Sequence, residues 1–130
     1  MGKEMVMDVF KTHGAVSWQE LATNDIEQAG SFYSGVFGWQ TEQDDTADMK
    51  YTEIKVGESR IGGIMPARGE APSRWRAYVT VDDLDQALAR AVSLGGKVLV
   101  PPTRIPIGRF AVLQDPAGAD IGAIQYAEKS

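Results

Sequence analysis

The sequence predicts an α+β fold in which two tandem β-α-β-β-β modules form a curved mixed sheet around a cleft. Three observations carry this prediction. The chain repeats itself at an offset of 58 residues, each copy opens with an extended run leading into a capped amphipathic helix, and further extended runs follow each helix. With 130 residues a single domain, 1–130, is expected, with module 1 at about 14–66, a linker at 67–73 and module 2 at about 74–127.

The repeat is clearest where Trp18-Gln-Glu-Leu-Ala-Thr-Asn-Asp falls on Arg76-Ala-Tyr-Val-Thr-Val-Asp-Asp, so that Asp25 meets Asp83 and Gly38 meets Gly96. Near the end the offset grows to 59, and Gly63 meets Gly122. In the first copy, residues 16–22 are strand-like and Asn24 with Glu27 has the form of a capping box. Ile26, Ala29, Phe32, Tyr33, Val36 and Phe37 then recur at helical spacing, and Gly38 supplies the stop. In the second copy Asp82 is the expected cap, Leu84, Leu88, Ala91 and Leu94 the expected buried stripe, and Gly95-Gly96 the end. Extended runs are expected at 39–42, 50–56 and 60–65 in the first copy and at 97–100, 110–114 and 119–126 in the second. The run 44–48 reads as an acidic exposed turn.

Composition narrows the function classes. The net charge is −5 and the basic residues are scattered, which argues against a nucleic-acid partner. There is no cysteine and one histidine, His13, which removes disulfides, thiol nucleophiles and sites needing two imidazoles. The N-terminal run lacks the apolar core of a secretory signal, and no apolar stretch approaches the roughly 18 residues that span a bilayer. A soluble, cytoplasmic protein without a membrane partner is expected.

The paired modules, with Asp25-Ile-Glu-Gln-Ala-Gly-Ser-Phe-Tyr-Ser-Gly-Val-Phe-Gly-Trp, Val81-Asp-Asp-Leu-Asp and Gln114-Asp-Pro-Ala-Gly, resemble the vicinal oxygen chelate superfamily of glyoxalases, bleomycin-resistance proteins and extradiol dioxygenases. Gly62-Gly-Ile-Met-Pro and Pro101-Pro-Thr-Arg-Ile-Pro look like its glyoxalase-related branch. The resemblance implies a homodimer. It also implies that metal-using members place ligands at four positions, which here are Trp18, Gly63, Arg76 and Gly122. An indole nitrogen offers no lone pair, a guanidinium is a cation and glycine has no side chain. No catalytic metal and no cofactor are therefore expected, and His13 reads as a surface residue at the strand entrance.

If Trp18 and Arg76 face the cleft, strand alternation adds Glu20, Ala22, Tyr78 and Thr80, together with Ile61, Gly63 and Met65 and with Asp120, Gly122 and Ile124. The expected ligand-binding set is Trp18, Glu20, Gly63, Arg76, Tyr78, Asp120 and Gly122. Glu20 and Asp120 are the candidate general bases. Structural roles stand beside these: Glu20 or Asp120 paired with Arg76 as an ion pair, Trp18 as a core plug, Arg109 as a solvated loop residue, and Trp39 and Trp75 as apolar area. Three functions follow. The favoured one is a bleomycin-resistance-like, metal-independent protein that binds a small aromatic or amphipathic molecule in the cleft, with the two missing acids leaving room for something bulkier. The alternatives are a metal-independent lyase or isomerase using Glu20 or Asp120 as base, and a structural dimerisation or partner-binding module. Whether the chain is an enzyme is left open, although metal-dependent lyase or dioxygenase activity is not expected.

Overall fold

The computed structural model describes residues 7–44, 51–67, 69, 71–105 and 107–127. Of the expected acidic turn at 44–48, Asp44 is the last residue of a strand, and residues 45–48 lie outside the described residues, as does part of the linker. In chain order the elements are β1 (Val16–Thr23), α1 (Ile26–Phe37), β2 (Gln40–Asp44), β3 (Tyr51–Val56), β4 (Ser59–Pro66), β5 (Arg74–Thr80), α2 (Leu84–Ser93), β6 (Lys97–Ile105), β7 (Gly108–Gln114) and β8 (Asp120–Tyr126). This is an α+β chain with the β-α-β-β-β order present twice. Trp18–Arg76 form one compact unit and the remaining described residues form the other.

The first unit has the strand order β2-β3-β4-β1, with β1 parallel to β4 and the other pairs antiparallel. One face is apolar because alternation places Leu21, Ile54 and Ile64 on it, where they are almost fully buried, with Ile26, Ala29 and Tyr33 of α1 packed against them. Ile61 joins this cluster, against the sequence expectation. A register shift lies between Ile54 and Lys55, so that Ile54 pairs with Gly62 but Lys55 with Arg60, and the extra residue changes faces.

Helix α1 starts one residue later than expected. Asp25, extended at φ −144°, is the cap, and its carboxylate accepts from the Gln28 N–H at 3.0 Å. Gly38 ends the helix in the left-handed region at φ 73°. Only part of the expected stripe is inward: Phe32, Val36 and Phe37 are exposed, because positions 26, 29 and 33 already span the arc that meets the sheet. Trp39 and Trp75 pack with Tyr33 in an aromatic cluster, and the Trp75 indole N–H donates to the Tyr33 hydroxyl at 3.0 Å.

The second unit repeats the pattern with the strand order β5-β8-β7-β6 and β5 parallel to β8. Asp83, not Asp82, caps α2 by accepting from the Gln86 N–H at 3.0 Å. Val81, Leu84, Leu88, Ala111 and Ala123 form its core. Leu94 falls outside the expected stripe: it is 77% exposed, sits at the C-cap and precedes Gly95, whose φ of 97° turns the chain away. β6 runs through Pro101 and Pro102, longer than expected. It is the edge of its sheet and its register shifts on both sides of Val100, so the missing N–H groups break no regular ladder. The turn after β7 is held by Asp115, whose carboxylate accepts from the N–H groups of Ala117 and Ala119.

The residues before β1 close over the second unit. The Thr80 hydroxyl lies 2.6 Å from the Val9 carbonyl and 2.7 Å from Ser17 Oγ, Ser17 meets the Tyr126 hydroxyl at 2.7 Å, and Phe10 stacks edge-on against Tyr126. His13 is exposed at the strand entrance, and its Nδ1 accepts from the Asp82 N–H at 3.0 Å.

Candidate functional site

In each unit the sheet face away from the helix carries the expected site residues. In the first unit, pairing aligns Glu20 with Gly63, Gly63 with Glu53 and Glu53 with Glu42, a row running straight across β1, β4, β3 and β2. Partners in register share a face. Three carboxylates therefore lie in one row, interrupted by a glycine. Glu42 is held by Lys55 and Glu53 by Arg60, each at 3.4 Å, and the Glu53 side chain is only 14% exposed.

Above this row stand Trp18 and Tyr51. The Trp18 indole N–H donates to the Tyr51 hydroxyl at 3.1 Å, and that hydroxyl donates to Glu20 Oε2 at 3.3 Å. Trp18 is 8% exposed, so it is a buried wall and not an open stacking surface. Gly63 does not leave open room: a Cβ there would overlap the Tyr51 ring. Tyr51 belongs to the site and was missed in the sequence. Its strand parity matches that of Glu53, which faces Gly63, and that parity was the available signal.

The second unit holds Tyr78, Asp120 and Gly122. Tyr78 pairs with Gly122, Gly122 with Val112 and Val112 with Val100, which is the repeat-equivalent row and is apolar. The Tyr78 ring covers Gly122, is 3% exposed and meets Phe110 edge-on at 6.0 Å. The room expected at this second glycine is thus also taken by a tyrosine. Asp120 is half-buried at the start of β8. Arg109 lies in β7, not in a loop, and its guanidinium pairs with Asp85 of α2 at 2.9 Å. Arg76 is half-buried and belongs to the first unit with Trp18, Glu20 and Gly63.

Two open grooves lie elsewhere, on the helix side. One of about 560 Å³ borders α2 and includes His13, Asp83 and Arg90; one of about 310 Å³ borders α1 and includes Asp25, Phe32 and Ser73. Neither contains Trp18, Glu20, Tyr51, Tyr78 or Asp120. The sheet face joins an indole, a phenol and a carboxylate through directed hydrogen bonds, a more specific chemistry than either groove offers.

A sequence profile described as a glyoxalase-like domain matches residues 18–123, which include both rows and both glycines. The chain belongs to the glyoxalase-like domain family. Among its relatives, CFP32 of Mycobacterium tuberculosis, a provisionally named glyoxylase, is 38% identical over 117 residues, covering 88% of this chain and 45% of that protein. The anthracycline biosynthesis protein DnrV of Streptomyces peucetius is 31% identical over 117 residues, covering 88% of this chain and 42% of that protein. The chain thus spans less than half the length of these relatives. Among solved structures, methylmalonyl-CoA epimerase from Mycobacterium tuberculosis superposes with a TM-score of 0.63 at 19% identity, over 95% of this chain and 94% of that one. That similarity establishes the shared fold.

The resemblance implies four metal-ligand positions, at Trp18, Gly63, Arg76 and Gly122. Gly63 and Gly122 supply no ligand atom and are covered by tyrosine rings, the Trp18 indole donates its N–H, and Arg76 is a cation. Among the described residues no three His, Asp or Glu side chains gather as a ligand set. The four positions do not fit a divalent ion.

Proposed function

We propose that this chain is a metal-independent, small-molecule-binding member of the glyoxalase-like family. It takes a planar aromatic or amphipathic ligand on the sheet face of the first unit. One observation carries the reading: an indole N–H, a phenol hydroxyl and a carboxylate are linked in sequence above a glycine, so that a partly exposed aromatic ring, a hydrogen-bond donor and one strong acceptor lie together. The relative named for anthracycline biosynthesis supports a polycyclic aromatic as the ligand class. Arg76 remains a proposed ligand-facing residue of the first unit and Asp120 a proposed one of the second, whereas Tyr78 is almost fully buried over Gly122 and the pair is set aside as packing; a homodimer in the cytoplasm remains the proposed setting. No helix among the described residues is long and apolar enough to cross a membrane.

Fluorescence titration with an anthracycline tests the reading. Saturable binding is expected that is unaffected by EDTA, with the probe recovered chemically unchanged. Glu20→Gln is expected to weaken it about tenfold, the scale of one charge-assisted hydrogen bond. Absence of saturable binding, or equal affinity in Glu20→Gln and Trp18→Ala, would overturn it. Conversion of the probe by wild type but not by Glu20→Gln would favour the base-catalysed alternative.

A further inference from the structure

The space above Gly63 is filled from within the first unit, and what fills it specifies what else can. Tyr51 lies with its ring against the Gly63 backbone, so closely that a Cβ at residue 63 would collide with it. Its hydroxyl accepts from the Trp18 indole and donates to the Glu20 carboxylate. These are the contacts a bound phenol would make: a flat ring on a backbone without a side chain, and one oxygen that both accepts and donates.

The two covering tyrosines differ in how firmly they are placed. Tyr78 is 3% exposed and sits in β5 directly opposite Gly122. Tyr51 is half-buried, is the first residue of β3, and reaches Gly63 diagonally, because the residue opposite Gly63 is Glu53. The Tyr51 ring is thus already partly exposed, whereas Tyr78 is almost wholly enclosed.

We propose that Tyr51 is an internal stand-in for the ligand. The ligand is a planar aromatic bearing a hydroxyl, whose ring takes the place above Gly63 and whose hydroxyl takes over the Trp18 and Glu20 contacts as Tyr51 swings aside. The proposal rests on the ligand reading given above and specifies its chemistry. A ketone in this position has no proton for Glu20, and an anionic group meets a carboxylate of its own sign. The hydroxyl satisfies both neighbours while remaining neutral. Because ring and ligand compete for one place, the apparent affinity of the wild type is reduced by the fraction of molecules in which Tyr51 is already displaced. Tyr51 thereby sets both the affinity threshold and the requirement for a hydroxyl.

Isothermal titration with 2-naphthol and naphthalene on wild type, Tyr51→Phe and Tyr51→Ala tests this. Tyr51→Ala is expected to bind 2-naphthol about tenfold more tightly than wild type, and to prefer it over naphthalene by about a hundredfold, the scale of one neutral and one charge-assisted hydrogen bond. Tyr51→Phe keeps the ring but loses the hydroxyl that anchors it, so its affinity for 2-naphthol should fall between the two. Equal or weaker binding by Tyr51→Ala, or equal affinity for the two probes, would overturn the proposal. If Tyr51→Ala fails to fold, Tyr51→Phe decides: tighter binding than wild type supports displacement, and looser binding refutes it. Saturable anthracycline binding without any gain in the Tyr51 variants would leave the ligand reading intact and reject displacement alone. If no variant binds any aromatic probe, the ligand reading falls and this proposal with it.

Discussion

Two rows of four residues, equivalent under the internal repeat, show how one scaffold is put to two uses. In the first unit the row is Glu20, Gly63, Glu53, Glu42; in the second it is Tyr78, Gly122, Val112, Val100. Backbone pairing and the central glycine are common to both, and in both a tyrosine ring lies over that glycine. The side chains around it differ in kind. In the second unit the tyrosine is itself a member of the row, 3% exposed and beside Phe110, so its ring is core. In the first, glutamates occupy the row and the tyrosine comes from the end of β3, tied to an indole and a carboxylate. Duplication supplied the same geometry twice, and substitution made one face a packed interior and the other a polar site.

The comparison yields a ranked set of outcomes. The largest effect is expected from Tyr78→Ala, which empties a buried aromatic position and should cost about 3–5 kcal/mol of stability in chemical denaturation. Tyr51→Ala should cost about 1 kcal/mol, since its half-buried ring gives up less apolar contact. Equal losses would erase the distinction between the units. Next comes the glycine pair. Gly122→Ala drives a methyl into a ring that cannot move and should cost about 1–3 kcal/mol, while Gly63→Ala should be milder because Tyr51 has somewhere to go. A reversed order would locate the rigid site in the wrong unit.

The two caps provide a control that should not differ. Asp25→Ala and Asp83→Ala each remove one carboxylate acceptor at the same distance, and each should lower stability by about 1 kcal/mol. The smallest effect concerns Tyr126, whose hydroxyl titrates above the ordinary tyrosine range because burial disfavours its ionised form, with the hydrogen bond to Ser17 acting the other way. The folded state holds this proton more tightly than the unfolded chain. That contribution is present below the unfolded value near 10 and is lost as pH rises through the folded one. Urea titrations at increasingly alkaline pH should show a steeper loss of stability for wild type than for Tyr126→Phe.

Much of this was legible before any tertiary structure. The repeat located both helices, the order of the strands around them and the equivalence of Gly63 with Gly122, because period and punctuation are local properties that a sequence displays directly. Alternation placed Trp18, Glu20 and Tyr78 on the sheet faces away from the helices. Each helix start was off by one residue, since both Asn24-Asp25 and Asp82-Asp83 offer two adjacent caps and only the backbone angles choose between them. Phe32, Val36 and Phe37 satisfied helical spacing yet stayed exposed, because spacing defines an arc and not its width.

The chain's local patterns determined the order of elements, the duplicated architecture and which residues, Trp18, Gly63, Arg76 and Gly122, stand at the four positions singled out by the resemblance. Packing decided what surrounds them. That Ile61 turns inward follows from a shifted strand register, and that Tyr51 rather than open space covers Gly63 follows from a residue twelve positions earlier reaching diagonally across a strand pair. Neither can be read from neighbouring residues, because register and side-chain reach are properties of two strands at once, and the energy that selects them comes from contacts between residues distant in the chain.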